Sequence, residues 1–70
     1  MTQRYWKVEK HGELSPADVA AAVGPGGHMV LRTDVAKGKT TIYFAGSGDD
    51  EHAKAVRASA TEVKLADITG

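Results

Sequence analysis

Hydrophobic and polar residues alternate along some stretches of this chain and recur at helical spacing along others. From Tyr5 to Lys10, Trp6 and Val8 fall on one side, and Tyr5, Lys7 and Glu9 on the other. A period of two, with aromatic and β-branched residues, predicts a half-buried strand. From His28 to Val35 the pattern predicts a second strand, with Met29, Leu31 and Thr33 facing one side and His28, Val30, Arg32 and Asp34 the other. Thr40 to Ala45 predicts a third, with Ile42 and Phe44 opposite Thr41 and Tyr43. The short link Ala36-Lys37-Gly38-Lys39 between them reads as a hairpin loop. Thr61 to Ile68 predicts a fourth strand, with Val63 and Leu65 inward and Glu62, Lys64 and Ala66 outward.

Two stretches break the alternation. Leu14-Ser15-Pro16-Ala17-Asp18-Val19 is a helix start. Ser15 is a favoured N-cap, and Pro16 sits where its missing N–H costs nothing. Asp18 stands where it can complete a capping box, with Leu14 and Val19 spaced as a hydrophobic staple. Ala20, Ala21 and Ala22 favour the helix, and Gly24 and Pro25 stop it. A second helix is predicted from Ser47 to Ser59, with Ala53, Val56 and Ala60 on its apolar face.

The resulting order is β-α-β-β-α-β. In topology it resembles the ferredoxin-like arrangement, an α+β fold. That resemblance implies a four-stranded antiparallel sheet in the order 4-1-3-2, with two helices on one face. Both halves carry a Ser-x-x-Asp cap, Ser15/Asp18 and Ser47/Asp50. All 70 residues then form a single domain, 1–70.

Composition narrows the chemistry. Without cysteine there is neither a disulfide nor a thiolate metal site. Nine basic and nine acidic residues cancel, and a duplex-binding surface usually needs a basic excess. No apolar run nears the length of a membrane span, and the N-terminus lacks the apolar stretch of a signal peptide. The expectation is a soluble cytoplasmic protein, complete from Met1, with no membrane partner.

Gly46-Ser47-Gly48, placed between a strand and a helix, has the layout of a phosphate-cradling loop. Asp49, Asp50 and Glu51 follow at once, and no Lys-Ser/Thr pair completes a P-loop. The acidic run complements the helix dipole itself and repels phosphate, so the stretch reads as a helix cap. His11, His28 and His52 are scattered, and the acidic residues lack calcium-loop spacing. No catalytic set can be assembled, and neither a cofactor nor a metal is expected.

The sheet face away from the helices is the surface to watch. It is expected to show Tyr5, Lys7, Arg32, Tyr43 and Lys64. Tyr and Arg suit a protein interface, and the second and fourth strands leave edges that another chain can extend. The expected function is therefore a small non-enzymatic protein-binding module, an inhibitor or adaptor of a larger complex. Viruses and mobile elements often encode such minimal domains. A homodimer would enlarge a small core. The alternative is a single-stranded RNA binder stacking bases on Tyr5 and Tyr43, although the third strand lacks the RNA-recognition consensus. A further alternative is a small oligomeric enzyme, or a metal binder at His28, Asp49 and His52.

Overall fold

A computed structural model describes residues 3–24, 27–46 and 51–69. Its elements are β1 (Tyr5–His11), α1 (Pro16–Val23), β2 (Met29–Ala36), β3 (Lys39–Ala45), α2 (Glu51–Arg57), β4 (Thr61–Val63) and α3 (Leu65–Thr69). The fold is α+β, with one four-stranded antiparallel sheet. The strands lie in the order β2-β3-β1-β4, which is 4-1-3-2 when counted from the β4 edge.

The core is a single cluster on one side of the sheet. Trp6 and Val8 of β1, Ile42 and Phe44 of β3, and Val19 and Val23 of α1 bury one another. Leu14, Ala22, Val56 and Ala60 close its margins. Both α1 and α2 therefore cover this face. The start of α1 is built as its residues require. Ser15 Oγ accepts the Asp18 N–H at 3.2 Å, and Asp18 Oδ2 accepts the Ser15 N–H at 3.4 Å. At the other end Gly24 is not left-handed; it stays helical and donates to the Ala20 carbonyl. The β2–β3 hairpin turns on Lys37 and Gly38, both with positive φ (55° and 73°). Two such residues define a type I′ turn, whose twist matches the strands it joins.

Three expectations are corrected here. The first concerns the final segment. β4 stops at Val63, and Leu65–Thr69 is a third helix rather than more strand. Asp67 Oδ2 accepts the Lys64 N–H at 3.0 Å, a cap at the helix start. Ile68 is buried in this helix, whereas Leu65, expected inside, is 47% exposed. The predicted arrangement, with helices on one face only, is thus incomplete. Arg32 Nη1 donates to the Ile68 carbonyl at 2.7 Å. Arg32 lies opposite Tyr43, on the face away from the core, so α3 lies over that second face.

The second correction is to the phase of β4. Val63 pairs with Tyr5, and Thr61 with Lys7. Directly opposed residues share a face, so Val63 belongs to the α3 side and Glu62, opposite Trp6, to the core side. The third is in β2, where a bulge separates Val30 from Arg32. One extra residue reverses the alternation. Met29, opposite Ala45, therefore shares a face with Arg32, while Val30, opposite Phe44, lies on the core side.

Candidate interaction surfaces

Four of the five predicted surface residues share a face, and three of them form one rung across the sheet. Arg32 lies opposite Tyr43, Tyr43 opposite Lys7, and Lys7 opposite Thr61. The Arg32 guanidinium stands 5.9 Å from the centre of the Tyr43 ring, within cation–π range. Tyr5 sits on the adjoining rung, between Ala45 and Val63. Lys64 is not on the sheet at all. It caps α3, where its backbone serves Asp67, and Ala66 has gone into the same helix.

This face is only partly open. Ala45 and Ile68 are buried, at 3% and 5% exposure, yet neither belongs to the core cluster. Ala45 lies on the rung of Tyr5, on the face away from the core, and Ile68 in α3. Tyr5, Lys7 and Tyr43 are half-buried.

Ser47 to Asp50 lie outside the described residues, as does the proposed Ser47/Asp50 cap. Gly46 is described, and its role is packing. Its N–H donates to the Arg4 carbonyl at 3.0 Å. Its carbonyl accepts from Trp6 Nε1 at 3.0 Å and from Arg57 Nη1 at 3.4 Å. A Cβ here would run into the His28 ring. That ring stands edge-on to Phe44, centroids 4.9 Å apart, while Nδ1 donates to the Val23 carbonyl at 3.0 Å. His28 therefore ties the end of α1 to β3 as a structural residue. His11, opposite Lys39, is at the far end of the sheet. Asp49, named with His28 and His52 as a metal alternative, lies outside the described residues. Among the described residues no three His, Asp or Glu side chains gather as a metal-binding group.

Around Trp6, charge is arranged on the core side. The Arg4 and Arg57 guanidinium groups stand 4.6 and 5.3 Å from its ring centre. Arg4 also pairs with Glu62, Nε to Oε2 at 2.9 Å. That hydrogen bond, aided by the positive charge, holds the Glu62 carboxyl below its ordinary range.

Two features go beyond the sequence reading, which foresees free edges on the second and fourth strands but neither a groove nor an apolar edge. One is a groove of about 320 Å³ between α1 and α2, floored by Val8 and walled by Ala21, Ala22, Ala55 and Val56. The alanines that favour the helix are also too small to fill the space between helices. The other is the β2 edge. Of the five exposed large apolar residues among the described ones, four are on β2: Met29 (62%), Val30 (37%), Leu31 (40%) and Val35 (51%). The alternation in the sequence had assigned Met29 and Leu31 to the core. The bulge turns Met29 to the other face and leaves Leu31 without a partner across the ladder, on a strand at the edge of the sheet.

The backbone of this edge can be assigned by parity. Gly46 N–H bonds to the Arg4 carbonyl, and Gly12 N–H to the Gly38 carbonyl. Both extend the β1–β3 ladder, so even-numbered residues of these strands bond each other. Odd-numbered residues of β3 then bond β2, through Met29, Arg32, Asp34 and Ala36. Thr33 and Val35 are left with N–H and C=O directed away from the sheet. No strand covers that side among the described residues.

Comparison with family models, with curated proteins and with solved structures finds no match to this chain. No helix among the described residues is long and apolar enough to cross a membrane. The chain is a small α+β protein with one antiparallel sheet among the described residues.

Proposed function

We propose that this chain is a non-enzymatic protein-binding module that engages its partner through the outer edge of β2. One observation carries the reading. The longest strand is also an edge strand, and it concentrates four of the five exposed large apolar side chains. Such an edge is a template for strand addition, with backbone bonds giving affinity and alternate side chains giving specificity. In the cytoplasm, an inhibitor or adaptor of a larger assembly would use such an edge. We read the fold as a ferredoxin-like βαββαβ unit to which α3 has been added. The element order and two helices on the core face support that assignment.

RNA stacking is the less supported alternative. It needs the rings of Tyr5 and Tyr43 bare, whereas α3 lies over their face and Arg32 stands over Tyr43. The test is capture of partners by the immobilised chain and by Thr33→Pro, with and without nuclease. The proline removes an outward N–H and leaves the inward ladder intact. A protein retained after nuclease and lost on Thr33→Pro is the expected result. A partner bound equally by both chains would overturn the edge reading, and one lost to nuclease would move the function to RNA.

A further inference from the structure

Resting on that reading of the edge, we propose that the surface β2 fits is its own copy, paired antiparallel about a twofold axis at Thr33. The stretch Leu31-Arg32-Thr33-Asp34-Val35 is chemically self-complementary. Read forward it is apolar, basic, polar, acidic, apolar; read backward, basic and acidic exchange places. In an antiparallel pair centred on Thr33, each Arg32 faces Asp34 of the second copy. Opposite charges directly across a pair stabilise it, and like charges destabilise it.

The backbone permits the same register. A twofold axis must set outward-facing residues against each other, since only these present N–H and C=O to a neighbour. Axes at Thr33, Asp34 and Val35 all do this, but centring on Asp34 sets the two Asp34 carboxylates directly against each other. Centring on Val35 would place Asp34 opposite Ala36 and carry Arg32 past the end of the strand. Centring on Thr33 closes two hydrogen bonds between the two Thr33 residues and matches both charge pairs. Leu31 and Val35, 40% and 51% exposed, then flank the junction as cross-strand neighbours. Within one chain Arg32 Nε already donates to Asp34 Oδ1 at 3.1 Å, with both side chains nearly half exposed. Two copies would turn this pair into a square of four alternating charges. A net charge of zero leaves no overall repulsion between copies. The result is one continuous sheet running 4-1-3-2-2-3-1-4.

Charge exchange tests this register. The mass of the chain and of two variants, Arg32→Asp and Asp34→Arg, is measured by sedimentation equilibrium, with circular dichroism as the check on folding. The original chain is expected at twice its 7.4 kDa mass, and each variant at the single mass, since each sets like charges opposite. Mixing the two variants should restore the double mass. The acidic pair of the first variant then faces the basic pair of the second, so both cross-strand contacts are again between opposite charges. A monomeric original chain, a variant that keeps the double mass, or a mixture that stays monomeric would each overturn the proposal. A second copy and another partner compete for the one β2 edge, and loss of partner capture on Thr33→Pro is a separate readout, so the edge reading can survive a monomeric result and fail independently of it.

Discussion

The Thr40 hydroxyl is the one buried polar side chain in the described core, with no exposed surface. It accepts from the Leu14 N–H at 3.1 Å and donates to the Gly12 carbonyl at 2.7 Å. It thus satisfies both backbone groups of the link that carries the chain from β1 into α1. Thr40→Val keeps the shape and leaves those two groups without the hydroxyl. A loss of about 1–3 kcal/mol is expected in urea denaturation. Sequence alternation shows that Thr40 lies on the side of Ile42, but not that its hydroxyl has partners 26 and 28 residues away. Glu62 is a second case. Its carboxyl pKa is depressed in the folded chain by Arg4. Its contribution to stability is present above its unfolded pKa and fades as pH falls through the lower folded value. In Arg4→Ala the Glu62 pKa should rise back toward the ordinary range, read by carboxyl NMR titration. An unmoved titration would show that Arg4 is not the cause.

Among the elements, local chemistry and tertiary contact contribute differently. α1 is legible because its start is encoded within four residues: Ser15 and Asp18 exchange two hydrogen bonds and need no other part of the chain. The Lys37-Gly38 turn is likewise local. The last segment is not. Thr61 to Ile68 alternates well enough to continue as a strand, yet its burial is decided by a face that only the folded sheet creates. Ile68 is buried in α3, and Arg32, 36 residues away, holds its carbonyl. Ile68→Ala should cost about 2–5 kcal/mol by denaturation and open the sheet face at Tyr5 and the buried Ala45. Tyrosine near-UV circular dichroism should change with it. A variant as stable as the parent would mean that α3 does not hold the second face.

The molecule as a whole is a three-layer arrangement on a short chain. Two helices cover one face and α3 covers part of the other, so the central strands β1 and β3 are enclosed and β2 is not. Burial falls off from the centre of the sheet to this edge. Ile42 and Phe44 of β3 have no exposure, while Met29 and Val35 of β2 are mostly open. A chain this short buries a smaller share of its surface than a larger domain does, and what it leaves uncovered is concentrated on one strand. Strand addition there would extend the sheet and cover the apolar side chains in one step. The predicted surface residues Tyr5, Lys7, Arg32 and Tyr43 do fall on one face, because alternation within β1 and β3 is regular and fixes the side on which each residue lies. Lys64 does not, since its strand ends before it.

Residue order alone dictates the elements whose signals are local. These are the alternating strands β1 and β3, the capped helix α1, the glycine turn of the hairpin, and the apolar face of α2. Each depends on residues within a turn or two of one another, where propensity, capping and period act directly. Folding in three dimensions settles what depends on distant partners: the bulge that reverses Met29, the phase of β4, the turn of the final segment into α3, and the exposure of β2. In those places the local pattern does not determine the conformation, and what the folded sheet buries does.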